Sequence, residues 1–139
     1  MKYFTSVEAV LTAQGANGTG TTINVEDWEE IWVEVSSASS ANLILSFVGS
    51  GSETAPDFSA AISGSNHYSQ LAFTDVNTVA SELPDSTSGA GLTFTGTDQF
   101  KIYKMLNATG IRTFTAKVAS WAAGNVTVKA WGVKTMLVS

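Results

Sequence analysis

The feature that most constrains the fold of this chain is an alternation of apolar and polar residues that recurs along it. In EIWVEV, residues 30–35, the odd-numbered positions are isoleucine or valine and the even-numbered positions are glutamate or tryptophan. Successive side chains of a β-strand point to opposite faces, so a period of two indicates a strand with one buried face. The same period recurs in NLILSFV (42–48), FKIYKML (100–106), IRTFTAKVAS (111–120) and NVTVKAWGV (125–133).

Weaker alternating patterns raise the expected number of short strands to eight or nine. They occur near residues 4–13, 21–25, 67–74 and 91–95. No helical period competes with them over more than about two turns, and charged residues make up only 14% of the chain, which disfavours long exposed helices. We therefore predict an all-β fold, a single antiparallel β-sandwich that is jelly-roll-like, with small polar residues in its turns.

A chain of 139 residues is long enough for one domain with its own core and short for two. We predict a single domain over residues 1–139, with a flexible N-terminal arm at about residues 1–20 that ends in the glycine-rich segment GANGTGTT. The inward positions of the strong strands should form the core. These positions are Ile31, Val33, Val35, Leu43, Leu45, Phe47, Phe114, Val118, Val126 and Val128.

The connection between the last two strong strands, SWAAGN (120–125), predicts a β-hairpin. Gly124 and Asn125 both tolerate the positive φ that tight hairpin turns require. Trp121 precedes them in the same turn, where an indole commonly covers one end of a sandwich. We therefore assign structural roles to Trp121 and Gly124.

Arg112 is a third residue with a predicted structural role. It shares the strand face of Phe114, and a guanidinium on an apolar face needs a carboxylate or carbonyl partner, or a position at the rim of the sheet. The expected partner is an acid from the N-terminal half of the chain, with Asp27 and Glu29 as the candidates.

Ionised residues are unevenly distributed along a chain whose formal net charge is −5. Residues 1–98 hold all twelve acids and one lysine, whereas residues 99–139 hold the other six cations and no acid. Two arrangements fit this distribution. Basic C-terminal strands could lie beside acidic N-terminal strands, where each opposite pair contributes about 0.2–1 kcal/mol. Alternatively, the two sets occupy separate faces and orient copies of the chain in an assembly.

The residue types that carry most catalytic and metal-binding chemistry are scarce. There is no cysteine, His67 is the single histidine, and no G-x-S-x-G motif occurs. The five carboxylates of VEDWEEIWVE (25–34) fit a solvated edge better than a glycosidase pair. We predict no enzyme activity, no cofactor and no metal site. Calcium binding by Glu26, Asp27 or Asp57 is the alternative, although their spacing matches no EF-hand loop.

Nucleic acid and membrane are not expected partners. The acidic balance of the chain disfavours nucleic acid, which attracts basic surfaces. No run of 18 apolar residues occurs that would predict a membrane span. The N-terminal stretch MKYFTSVEAVLTAQG has no uninterrupted apolar segment, so we do not expect it to act as a signal peptide.

Two tryptophans face away from the predicted core, because Trp32 and Trp131 occupy the polar faces of their strands. Exposed indoles stack on sugar rings or pack against another subunit. Together with Glu34 and Lys129 on the same faces, they form our candidate interface or ligand platform. Two long loops of small residues are candidates to complete a glycan site beside them: residues 49–66 and 80–91.

The C-terminal third, FKIYKMLNATGIRTFTAKVASWAAGNVTVKAWG, resembles a small structural domain of tailed phages. The front half, INVEDWEEIWVEVSSASSANLILSFVGSGSE, is more loosely similar, and GSGSETAPDF departs from the Asp-Gly and Trp that often follow in that family. The resemblance covers about 110 residues. The matching C-terminal residues are Gly110, Ile111, Arg112, Val118, Trp121, Gly124, Val126, Thr127 and Val128.

This resemblance implies a virion protein without catalytic residues, made in the host cytoplasm and carried in the particle. It implies a capsid decoration protein, a head-fibre base or another head-associated accessory protein, or a tail accessory module. Such a protein acts through contacts with capsid or tail proteins. Phage proteins of this kind commonly form homo-oligomers, and we favour a trimer slightly over a lattice-bound monomer. The alternative is a tail adhesin or carbohydrate-binding module that uses the exposed tryptophans.

Overall fold

The computed structural model describes residues 1–37, 40–76, 81–82, 92–96 and 100–136. These residues form thirteen β-strands and no helix. The strands are β1 (Lys2–Phe4), β2 (Glu8–Gln14), β3 (Gly18–Thr19), β4 (Ile23–Asn24), β5 (Glu30–Ser36), β6 (Ala41–Ser50), β7 (Ser69–Gln70), β8 (Phe73–Asp75), β9 (Ser81–Glu82), β10 (Leu92–Gly96), β11 (Phe100–Met105), β12 (Thr113–Ala123) and β13 (Val126–Thr135).

The strands form two antiparallel sheets that pack against each other, so the predicted all-β sandwich is confirmed. The seven-stranded sheet has the order β1-β13-β5-β11-β8-β9, and β2 also pairs with β13. The six-stranded sheet has the order β10-β6-β12-β3, with β4 on β12 and β7 on β6. More strands are present than predicted because patterns such as residues 4–13 and 67–74 are each divided into two short strands. The jelly-roll description stays a prediction.

The predicted core is confirmed in full, since all ten of its residues are at most 4% exposed. Its centre is an aromatic cluster that joins the two sheets. The Phe47 ring, from β6, lies 4.7 Å from that of Phe73 in β8 and 6.1 Å from that of Phe114 in β12, measured between centroids. Tyr103 of β11 completes the cluster at 6.0 Å from Phe47.

The predicted hairpin between β12 and β13 is wrong, because these strands belong to different sheets. β12 pairs with β6, β3 and β4, whereas β13 pairs with β1, β2 and β5. Gly124 does adopt a positive φ of 73° in the connection, but the turn carries the chain across the sandwich. Before it, the β12–β6 register shifts between Ala119 and Ala123, and Ser120 also has a positive φ of 49°.

Trp121 anchors this crossing with two hydrogen bonds. Its backbone N–H donates to the side-chain oxygen of Asn17, and its indole N–H donates to the carbonyl of Gly124, both at 2.8 Å. The side chain stays 38% exposed. The indole is therefore tied to the turn and does not fill the end of the core.

Residues 1–20, predicted as an arm, carry two strands that lie along the same side of β13. The following short strand, β3, pairs with β12 in the opposite sheet. The segment thus crosses from one sheet to the other near Gly15. Its flexibility stays a prediction.

Arg112 precedes β12 and is half-exposed, with the Glu26 carboxylate 4.0 Å from its guanidinium. The predicted acid from the N-terminal half is present, but it is Glu26 and neither Asp27 nor Glu29. Glu29 instead pairs with Lys2 at 3.6 Å. A long, solvent-exposed ion pair contributes little because water screens it. Arg112→Met should therefore change the free energy of unfolding by less than about 1 kcal/mol, as measured by urea denaturation.

Candidate protein interface on the outer face of the seven-stranded sheet

The four residues of the predicted platform lie together on the outer face of the seven-stranded sheet. Trp131 of β13 is directly opposite Trp32 of β5, and Lys129 is directly opposite Glu34. Opposed residues of an antiparallel pair share a face. The odd-numbered residues of β5, Ile31 among them, are fully buried on the inner face, so this group faces outward.

Strand register extends this group into an apolar stripe that crosses four adjacent strands. On β1 and β13, Phe4 is opposite Val133, two residues from Trp131 and on the same face. On β11, Ile102 is opposite Glu34, and Phe100 follows two residues away on the same face. We call this group the diagonal stripe, since each step from β1 toward β11 also moves along the strands. Its members are Phe4, Val133, Trp131, Trp32, Ile102 and Phe100.

The two ends of the diagonal stripe are the most exposed parts of it. Phe4 is 68% exposed and Phe100 is 59% exposed, whereas both tryptophans and Ile102 are half-buried and Val133 is buried. Single exposed apolar side chains are ordinary on protein surfaces, but a contiguous apolar band bordered by charges is typical of an interaction site.

Trp32 is held on both sides within this face. Its ring stacks on that of Trp131, with centroids 6.4 Å apart and planes at 20°. On the opposite flank, the Lys104 ammonium of β11 lies 5.6 Å from the Trp32 ring centroid, within the range of a cation–π contact. The Trp32 indole N–H donates to the carboxylate of Glu30 at 3.0 Å. Neighbouring strands therefore occupy both flanks of this indole.

The charge asymmetry of the sequence is resolved by strand pairing. β13 lies beside β5, which places Lys129 opposite Glu34. Lys101 of β11 reaches the buried carboxylate of Asp75 at 3.6 Å. Of the two arrangements that the sequence allowed, the structure supports the one in which C-terminal cations lie beside N-terminal acids.

At the β1 end of the face, the carboxylate of Glu29 accepts a hydrogen bond from the hydroxyl of Thr135 and lies 3.6 Å from the Lys2 ammonium. The Thr135 hydrogen bond chiefly, and the charge of Lys2 to a smaller extent, hold the pKa of the Glu29 carboxyl below its ordinary value. These contacts join β1, β13 and the turn before β5.

The predicted loop 49–66 lies elsewhere and does not meet the tryptophans. Its residue Phe58 is buried and packs edge-on against Tyr68, at 5.2 Å between centroids. The hydroxyl of Tyr68 accepts a hydrogen bond from Lys117, whose position on β12 faces outward from the six-stranded sheet. Loop 49–66 and the tryptophan pair therefore occupy opposite outer faces of the sandwich. Loop 80–91 lies outside the described residues except for Ser81 and Glu82.

An open cleft of about 400 Å³ borders loop 49–66. Ser50 and His67 both line it. The hydroxyl of Ser50 donates to the carbonyl of His67 at 2.7 Å, and the His67 ring contacts the carbonyl of Gly64. Among the residues that the structure describes, no three His, Cys, Asp or Glu side chains are grouped closely enough to hold a metal ion. Asp57, a calcium candidate, accepts hydrogen bonds from the hydroxyl and the backbone N–H of Ser59. The first of these chiefly, and the second to a smaller extent, lower the pKa of its carboxyl.

The fold is similar to that in the crystal structure of SPBc2 prophage-derived protein YomS. The two structures superpose with a TM-score of 0.64 over 96% of each chain, at 16% sequence identity. No family model and no curated protein matches the sequence. Within the described ranges, no helix is long and apolar enough to cross a membrane.

Sequence reasoning found the centre of the stripe and missed its ends. Trp32 and Trp131 were identified because each lies opposite an aliphatic face in its own strand. Phe4, Ile102 and Phe100 join them through the order of strands in the sheet, which a local pattern does not contain. The sequence did place Phe100 and Ile102 on one face of the strand FKIYKML. It gave no indication of whether that face is buried or exposed.

Proposed function

We propose that this chain is a non-enzymatic structural protein of a phage particle, and specifically a capsid decoration or head-associated accessory protein. The observation that carries the proposal is the likeness to a prophage-derived protein over 96% of both chains. The phage-like motifs around Gly110, Trp121 and Gly124 in the sequence support the same assignment. Such a protein acts through contacts with capsid or tail proteins and with copies of itself, and it resides in the virion.

The diagonal stripe is the surface that we assign to these contacts. Its centre is a tryptophan pair, and aromatic residues that become fully desolvated supply most of the binding energy of protein interfaces. Around it, Glu34, Lys129, Glu30 and Lys104 present charges of both signs, as expected for a polar rim that sets specificity. A homo-oligomer is part of this proposal.

The second candidate is a carbohydrate-binding tail module, which the side-by-side indoles of Trp32 and Trp131 favour. Sugar rings stack on a free aromatic face. Lys104 and Trp131 already flank Trp32. Loop 49–66 is on the other face of the sandwich, so it does not form the wall of the platform that the sequence suggested. The protein-contact role therefore has the stronger support.

The proposal predicts that the chain is a component of particles produced from the genome that encodes it. Particles purified by density gradient should contain the protein in many copies, and particles from a deletion mutant should rebind it when it is added back. Trp131→Ala should weaken rebinding at least about tenfold, because loss of a central interface tryptophan typically costs about 2 kcal/mol or more. Thr74→Ala is the matched control, since Thr74 lies on the same face but outside the stripe, and it should leave rebinding unchanged.

Absence of the protein from purified particles would contradict the phage assignment. Equal rebinding of wild type and Trp131→Ala would show that the diagonal stripe is not the surface that binds the particle. If Trp131→Ala abolished binding to a glycan array while particle binding persisted, the carbohydrate-binding role would replace the contact role.

A further inference from the structure

The edge of the seven-stranded sheet at β1 is an open pairing site. β1 is the terminal strand of the sheet order, and none of the described strands pairs with its outer side. Sheet edges of this kind are templates for pairing with another chain unless they are blunted. The opposite edge ends in β9, which has two residues against three in β1.

The neighbouring edge strand, β2, is also protected. Its pairing with β13 contains two register irregularities, which twist an edge away from flat pairing. The carbonyl of Val10, on its outer side, already accepts a hydrogen bond from the N–H of Thr21 at 2.9 Å. Of the two strands along this edge, β1 is therefore the one whose pairing with β13 is regular and whose outer side has no partner among the described residues.

Exposed apolar side chains are concentrated at β1. Of the ten large hydrophobic side chains that are exposed among the described residues, five lie at this corner. The corner also holds the first member of the diagonal stripe, Phe4. The five are Met1, Tyr3, Phe4, Val7 and Met136.

Backbone geometry identifies which groups of β1 are free. The N–H of Thr5 donates to the carbonyl of Gly132, and the carbonyl of Met1 accepts from the N–H of Met136. Alternate residues of a strand bond to the same neighbour, so Tyr3, opposite Lys134, also faces β13. The N–H and C=O groups of Lys2 and Phe4 consequently point away from the sheet.

We propose that β1 pairs with β1 of a second copy of this chain, antiparallel and centred on Tyr3. In this register Lys2 lies opposite Phe4 of the second copy, and every outward N–H and C=O of Lys2 and Phe4 gains a partner. A register that placed Lys2 opposite Lys2 would oppose like charges, which is unfavourable. The chosen register instead sets an ammonium beside an aromatic ring.

The pairing joins two seven-stranded sheets into one continuous sheet. Tyr3 then meets Tyr3 of the second copy in a non-hydrogen-bonded pair, where side chains approach most closely. Because Phe4 begins the diagonal stripe, the stripes of the two copies meet at the new junction. This inference specifies the contact between copies that the proposed function includes, and testing it requires no phage particle.

The absence of cysteine from the sequence makes a single-thiol test direct. Tyr3→Cys places two thiols in a cross-strand pair with Cα atoms about 4.5 Å apart, inside the range of a disulfide. Mild oxidation should convert most of the protein to a disulfide-linked dimer on a non-reducing gel. Thr12→Cys, exposed on β2, is the matched control and should give at least about tenfold less dimer, because β2 has no pairing role.

A second pair of variants tests the backbone bonds. In the Tyr3→Cys protein, Phe4→Pro removes an N–H that faces away from β13, which edge positions tolerate, whereas Phe4→Ala keeps it. Phe4→Pro should reduce the dimer yield at least about fivefold relative to Phe4→Ala, because the Phe4 N–H of each copy, and with it two of the four hydrogen bonds between the copies, is lost. Both variants should keep the thermal unfolding midpoint of the parent within a few degrees, since the bonds to β13 are intact.

Hydrogen exchange of the wild-type protein tests the β1 pairing without any substitution. Hydrogen exchange in a peptide spanning residues 2–4 should slow as the concentration rises from about 2 to about 200 μM, as mass action requires for an association. Equal dimer yields for Tyr3→Cys and Thr12→Cys would overturn the proposal. So would exchange that is independent of concentration, or equal yields for the proline and alanine variants.

Discussion

Phe114→Ala should lower the free energy of unfolding by about 3–5 kcal/mol, the range for truncating a buried phenylalanine. Phe114 is fully buried, and its ring lies 6.1 Å from that of Phe47 and 6.0 Å from that of Phe73. These three rings come from both sheets, so the truncation leaves a cavity at the junction of the sandwich. Denaturant titration followed by tryptophan fluorescence measures the change.

Phe100→Ala is the matched control for this truncation, since it removes the same atoms from a side chain that is 59% exposed. Surface substitutions usually change stability by no more than about 0.5 kcal/mol, so the two variants should differ by several kcal/mol. A loss of only a few tenths for Phe114→Ala would contradict its place in the core.

Among the described glycines outside the strands, Gly124→Ala should be the most damaging substitution, at about 2–5 kcal/mol. A Cβ at Gly124 would lie 2.4 Å from the carbonyl oxygen of Ser40 and 2.7 Å from the Cα of Ala41. Both obstacles are backbone atoms, which cannot move as a flexible side chain can. The positive φ of 73° adds the strain of a left-handed conformation.

Two other glycines separate strain from steric overlap. Gly110 has a positive φ of 96° but open space where an added methyl group would lie, so Gly110→Ala should cost about 1–2 kcal/mol from strain alone. Gly64 has neither a positive φ nor a neighbour within 4 Å, and Gly64→Ala should be close to neutral. Thermal unfolding of the three variants checks the order; a Gly124→Ala protein as stable as Gly110→Ala would refute the tight crossing.

The alternating pattern of the sequence predicted the strands and the core because both depend on local information. Whether a residue of β5 or β6 faces inward is decided by its parity once one face must be buried. The ten predicted core positions were identified without error for this reason. Strand limits were less accurate at β12, where the pattern predicted a start at residue 111 and the strand begins at Thr113.

The connection at Gly124 shows what a local pattern does not contain. A tight turn with positive φ and two flanking alternating strands fits a hairpin within one sheet and a crossing between two sheets equally well. Both arrangements bury Val118 and Val126 in the same core. The crossing is decided by pairing with distant segments, since β12 finds β6 and β13 finds β5.

For the interface, the sequence by itself determined which large apolar side chains face away from the core. These are Trp32 and Trp131, on the outward faces of their strands. Tertiary structure decided their neighbours. The order β1-β13-β5-β11 brings Phe4, Ile102 and Phe100 into one stripe with them and leaves loop 49–66 on the other side of the sandwich. The physical reason is that side-chain parity is a property of each strand, whereas strand order and register arise from long-range backbone pairing, in which residues as distant as Phe4 and Val133 become neighbours.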